Sequence, residues 1–313
     1  MFEGLAELYN LREDIGRALE GLAALSGVRP DKAPVAMVYD WESRWALAAS
    51  AGPKQENGGD VYTRTCVEHF RALRSAGVEV DIIPIDADFS GYRAVITPAL
   101  YLLESATARL TSYVEQGGCW VATYLTGYVD QHNRCWCGGF PGPNLREVFG
   151  LWNEEVDYLF DDESVRMRGC VEGLGKEMGG TDIVERLHSE GATPMVLLDS
   201  EFYADSPAIL RNQRQMGSTY YIGTRLGEES LIAFYRVLVA EMALPADDLP
   251  RGIVRKIRLG SDGPVEFLFN YTRREVSFDL GAHPYLRIAD GARIVGRTTL
   301  HLYDSLLRSP IQS

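Results

Sequence analysis

The chain has 313 residues, 46% of them apolar and 24% charged, the balance of a globular protein of about two domains with a core that needs no disulfide or metal. Its formal charge of −13 disfavours nucleic acid and anionic membrane surfaces as partners, since both are bound through clustered Lys and Arg. Five cysteines, an odd number in a long chain, fit a reducing compartment. Met1-Phe2-Glu3-Gly4 opens no signal peptide, and the apolar run at 232–238 is broken by Arg236 and too short to span a bilayer, so the expected address is cytoplasmic.

The first 28 residues predict one amphipathic helix. Leu5, Leu8, Leu11, Ile15, Leu19, Leu22 and Leu25 recur at spacings of three and four, and Gly27 closes the run. Arg29-Pro30-Asp31-Lys32-Ala33-Pro34 then reads as a linker. From Val35 strands and helices alternate. Strands are expected at 35–39, 78–84, 94–98 and 119–124, with helices over 61–76 and 106–116, each ended by glycine. Repeated β-α order with apolar strands implies a parallel sheet covered on both faces, and right-handed crossovers make a flavodoxin-like, doubly wound α/β sheet the expected fold.

Residues 126–191 are less regular, with Gly138-Gly139 and Pro141-Gly142-Pro143, and read as an insertion on the sheet holding two strand runs. A strand at 219–224 and a helix over 228–243 close the domain. From Gly252 the hydrophobic period drops to two, strongest in Val265-Glu266-Phe267-Leu268-Phe269-Asn270-Tyr271, which predicts a small antiparallel β-domain.

Candidate chemistry is thin. A dinucleotide site needs a glycine-rich turn after the first strand, and Asp40-Trp41-Glu42-Ser43-Arg44-Trp45 stands there instead, so no nucleotide cofactor is expected. A nucleophilic cysteine belongs in a tight turn after a strand. Cys119 starts its strand, and the turn after it, Tyr124-Leu125-Thr126-Gly127, offers nothing better than Thr126. His132, Cys135 and Cys137 form the most zinc-like cluster, but Cys-x-Cys is tighter than usual ligand spacing and no fourth ligand lies near in sequence, so it is only a weak metal candidate. Paired carboxylates for glycoside hydrolysis would have to come from Asp40, Glu42, Asp86 and Asp130 near strand ends, where solvated acids are the plainer reading. Aromatic residues concentrate at the expected ligand edge of the sheet: Tyr39, Trp41 and Trp45, then Tyr124, Tyr128 and Trp136. Such rings stack on sugars or anchor protein interfaces, and an interface is the stronger expectation.

These residues carry a resemblance. The run from Val35 through Tyr39-Asp40-Trp41-Glu42-Ser43-Arg44-Trp45 to Leu47 resembles the opening of the trimerisation domain of family 42 β-galactosidases. Phe89-Ser90-Gly91-Tyr92, Gly138-Gly139-Phe140-Pro141-Gly142-Pro143, Phe202-Tyr203, Leu268-Phe269-Asn270-Tyr271-Thr272 and Leu302-Tyr303-Asp304 continue in that family's order. The resemblance covers about residues 5–307. It implies a class I glutamine-amidotransferase-like domain over 34–248 that assembles homotrimers, then a small β-sandwich over 249–313, with 1–33 as the exit segment of a TIM barrel not found in this chain. The catalytic glutamates of the family lie on that barrel, so no catalytic residue carries over and this chain on its own is expected to be inactive. On this reading hydrolysis of terminal β-D-galactosides belongs to the parent enzyme, and a separate catalytic barrel is a conceivable partner. Tyr39, Asp40, Trp41, Glu42, Trp45, Tyr124, Tyr128 and Trp136 become the channel or interface candidates, with Trp41, Glu42 and Trp45 set by analogy nearest a substrate channel. No cofactor is expected, and galactoside binding is expected to be weak at most. The rival reading is a stand-alone carbohydrate-binding or sensing protein derived from a truncated β-galactosidase.

Overall fold

The computed structural model describes residues 25, 27–50, 60–103, 106–142, 144–199, 202–261 and 263–311. The helix predicted over the first 28 residues lies, for 1–24 and 26, outside the described ones, while 25 and 27 stand in a turn ahead of β1. Contacts divide the chain into two units, one over Ala33–Ala246 and one combining Met1–Lys32 with Asp247–Ser313.

In the second of these, the segment read as linker contributes a strand, β1 (Arg29–Pro30), which pairs antiparallel with Leu259 and Arg258. The larger unit follows. Its parallel strands are β2 (Val35–Val38), β3 (Val80–Ile83), β4 (Ala94–Thr97), β5 (Cys119–Thr123) and β11 (Gly217–Ile222), in spatial order β3-β2-β4-β5-β11. Helices α1 (Trp41–Ala49) and α2 (Val61–Ser75) lie between β2 and β3 in the chain, and α3 (Thr107–Glu115) lies between β4 and β5. Two short-range features make these helices. Asp40 and Asp60 cap the first two by accepting the Ser43 and Thr63 backbone N–H groups, and Gly77 and Gly117, both at positive φ, end the second and third.

Alternate residues of the parallel strands feed two separate cores. Val35, Met37, Ile96, Val121 and Ile222 join Tyr62 and Leu73 of α2 and Phe234 of α5 (Glu228–Glu241). Ala36, Val38, Val95, Trp120 and Tyr221 join Leu110 of α3 and Phe149 of α4 (Leu145–Phe149). Period-two side-chain direction explains the division, and continuous apolar runs explain why both faces are dry.

The sheet does not end there. Beside β11 it continues through antiparallel β10 (Pro207–Arg214), β9 (Thr193–Leu198), β7 (Val165–Gly169), β8 (Met178–Ser189) and β12 (Thr224–Leu226), with β6 (Leu151–Tyr158) paired to β8. Eleven strands form one sheet, six of them in this extension, so the unit is predominantly β. A doubly wound parallel sheet is therefore wrong as a description of the whole unit. The stretch expected to be an irregular insertion with two strand runs holds three paired strands, β6, β7 and β8. In β6 a buried Asn153 is followed by two exposed acids, Glu154 and Glu155, across a register shift, which hid the strand period.

The smaller unit is antiparallel. Strands β13 (Ile253–Gly260), β14 (Gly263–Asn270), β16 (Tyr285–Arg287), β17 (Arg293–Ile294) and β19 (Ser305–Pro310) complete, with β1, a six-stranded sheet. A two-stranded ribbon, β15 (Val276–Asp279) and β18 (Arg297–Leu300), packs on it. Ile253, Leu268 and Leu306 from the sheet meet Phe278 and Leu300 from the ribbon in a common core.

Candidate functional site

The carboxyl ends of the parallel strands set the geometry of the aromatic edge. Tyr39 follows β2 half-buried, with its hydroxyl 2.7 Å from Thr63 Oγ1. Asp40 is buried. Its Oδ2 accepts the Ser43 N–H at 2.7 Å, and its own N–H donates to the Tyr62 hydroxyl at 2.8 Å. That carboxylate is committed to capping α1 and is not poised for acid-base work. The sequence reading missed α1 itself, although an aspartate followed by Glu42 in a first turn is a helix-start signal.

Trp41 and Trp45, four residues apart on α1, are 55% and 61% exposed. Their ring centroids lie 6.1 Å apart, Tyr39 meets Trp41 edge-on at 5.2 Å, and the Arg44 guanidinium stands 5.2 Å over the Trp41 ring. Arg44 is held there by Asp60 at 2.5 Å. Glu42 is exposed beside them. Two large rings thus stand side by side in solvent as a small exposed aromatic patch.

The other predicted site residues are not brought to that surface. Tyr124 and Tyr128 are buried, and burial raises both hydroxyl pKa values. Tyr124 lies 3.0 Å from Thr65 Oγ1, and Tyr128 stacks on Phe140 at 4.0 Å. Both are core residues and are withdrawn from the channel or interface set. Trp136 is half-buried against Gly142, where an added Cβ would stand 2.6 Å from the indole. It lines a groove with Phe140, Asn144, Trp152 and Glu154.

The metal candidate fails. Among the described residues no group of three His, Cys, Asp or Glu side chains is placed to hold an ion. His132, Cys135 and Cys137 are exposed on a loop organised by Asp130, whose carboxylate accepts the His132 and Arg134 backbone N–H groups and pairs with the Arg134 side chain. The Arg134 guanidinium draws the Asp130 carboxyl down to about 2, which leaves it an anion and no general acid. Cys119 is buried, and burial pushes its thiol up to about 12, far from a nucleophile.

One group escaped the sequence reading. Glu185 of β8 is fully buried beneath the turn that follows β5. Its Oε1 accepts the Leu125 N–H at 2.8 Å and its Oε2 accepts the Tyr221 hydroxyl at 2.8 Å, while the Tyr128 hydroxyl stands near as a third, looser donor. A signal existed: Glu185 stands between Ile183 and Leu187 in a strand's period of two, a position that faces inward.

Fold and surface together define a β-rich α/β unit with a well-packed sheet and an exposed aromatic pair beside one end of its parallel strands. Residues 33–245 match the family described as the β-galactosidase trimerisation domain. The chain belongs to that family. It is 36% identical over 274 residues to the β-galactosidase BglY of Alicyclobacillus acidocaldarius, a match covering 85% of this chain and 39% of that protein. Among solved structures it resembles Gan42B, a GH42 β-galactosidase from G. stearothermophilus, at 30% identity and a TM-score of 0.88, over 97% of this chain and 44% of that one. The β-galactosidase of Bacillus circulans sp. alkalophilus gives 27% identity and a TM-score of 0.89, over 95% and 44%. The chain thus spans about two fifths of the length of the relatives it matches.

Proposed function

We propose that this chain is the trimer-forming frame of a β-galactosidase, with Ala33–Ala246 as the assembling unit and the hydrolysis of terminal β-D-galactosides carried by a barrel like that of its full-length relatives. The observation that carries this reading is the coincidence of the family match at 33–245 with the compact unit Ala33–Ala246. The exposed Trp41–Trp45 pair supports it, because a closed ring of three identical chains needs contact surface that the isolated chain leaves open. Glu42 sits at the rim of that patch, and the patch belongs either to the subunit contact or to the channel beside it. An amidotransferase-like origin for the parallel half is part of the same reading. Counted by themselves its five strands run 2-1-3-4-5, the order of flavodoxin-like sheets. Cytoplasmic residence fits the five free thiols.

Light scattering on a size column, with an aryl β-galactoside added to the eluted peak, tests the reading. The expected result is a mass three times that of one chain and no hydrolysis. A mass of one chain at every concentration, or turnover in the peak, would overturn it.

A further inference from the structure

Glu185 is a carboxyl group with no ordinary reason to be where it is. It is fully buried, and among the described residues no Lys, Arg or His contacts it. Its partners come from three places at once. The Leu125 N–H belongs to the turn after β5, where Leu125 holds φ 62. The Tyr221 hydroxyl belongs to β11, and the Tyr128 hydroxyl to the loop beyond the turn. Tyr128 is itself held: Asn153 Nδ2 of β6 donates to its hydroxyl at 2.7 Å, and its ring lies between Tyr101 and Phe140. The other titratable group facing this cluster is Tyr158 of β6. Thr126 Oγ1, also fully buried, has no hydrogen-bond partner among the described residues.

We propose that Glu185 is a proton-operated latch that holds residues 125–142, the segment carrying Trp136, against the antiparallel half of the sheet. Removing Tyr128 from the carboxylate moves the loop with it, because the Trp136 N–H bonds Tyr128 O and the Gly142 N–H bonds Gly127 O. The closed arrangement excludes water from the carboxyl, and exclusion of water penalises the charged form. Burial pushes the group up to about 7 against the pull of its three donors.

The sign follows from linkage. An opened loop would return Glu185 to the ordinary value of 4.5, so the closed form binds the proton more tightly. Closure is strongest below that ordinary value, weakens as pH rises, and becomes pH-independent above about 7. The closed-to-open ratio falls roughly 300-fold across that window.

Amide hydrogen exchange of the whole chain reads the latch directly. In the wild type the Leu125 amide should gain about two decades in rate per pH unit between the two values, and about one decade per unit above them. In Glu185→Gln the steeper segment should vanish. Tyr128→Phe keeps the ring stack but removes a donor to the charged form, so it should move the break to higher pH. It serves as the test if Glu185→Gln does not fold. A shallow slope at Leu125 in the wild type, or a break that survives Glu185→Gln, would overturn the proposal.

Discussion

Replacing Trp41 and Trp45 together by alanine tests what the aromatic edge is for. The two side chains are 55% and 61% exposed. With roughly 250 Å² per tryptophan they leave about 290 Å² of aromatic surface in water. Complete coverage by a neighbouring subunit would stabilise the contact by about 7 kcal/mol at about 25 cal/mol per Å². Alanine retains part of that surface, and coverage at an interface is rarely complete, so the double variant should lose about 3 kcal/mol per contact. That is roughly a 150-fold weaker association. Mass against concentration over about two decades of dilution would show it as dissociation at concentrations where the wild type stays assembled. Glu42→Ala, at the rim, should change assembly by less than about threefold. Superimposable mass curves for the double variant and the wild type would refute the assignment of these rings to a subunit contact.

Other expectations follow from single positions. Asn270 is buried, with Nδ2 facing the carbonyls of Arg274, Leu300 and His301 and Oδ1 accepting from Thr272. Asn270→Ala should cost about 3 kcal/mol in denaturant unfolding, and Asn270→Asp no less, because it turns a carboxylate toward three carbonyl oxygens. Gly217→Ala would place a Cβ 2.0 Å from Val114 O and 2.3 Å from Gly118 O, while Gly138→Ala meets nothing within 4 Å. The first should lower stability by more than about 3 kcal/mol and the second by less than about 1 kcal/mol, read from their unfolding midpoints. Asp40→Ala should cost about 1 kcal/mol through loss of the α1 cap, with Asp40→Asn near neutral in the same assay. Alkylation of the native chain followed by peptide mass analysis should label exposed Cys135, Cys137 and Cys170 quickly. Cys66 and Cys119, both pushed up to about 12 by burial, should be labelled only after unfolding.

The parallel half of the sheet was legible where its strands are short, nearly continuous apolar runs, as β2, β4 and β5 are. The runs expected at 35–39, 94–98 and 119–124 end within a residue of β2, β4 and β5, and the helix expected over 61–76 is α2 to within one residue. The antiparallel half was not legible. Its pairings join residues far apart in the chain, as Trp152 joins His188, and a local pattern carries no record of that. At the candidate site, aromatic identity alone could not separate exposed Trp41 and Trp45 from buried Tyr124 and Tyr128, since all four follow strand ends. Glu185 was passed over because a lone acid in a mixed segment reads as surface until its neighbours across the sheet are known.

The pairing of Arg29–Pro30 with β13 has a consequence for how the molecule is made. The smaller unit is sewn from two stretches of chain on either side of Ala33–Ala246. Its first strand precedes the whole larger unit in the chain, and the partner of that strand follows it. Folding of Ala33–Ala246 converts their meeting into an encounter between tethered ends, at an effective concentration set by short connections rather than by a long unfolded loop. Folding of the insert therefore shortens the loop that the other unit has to close.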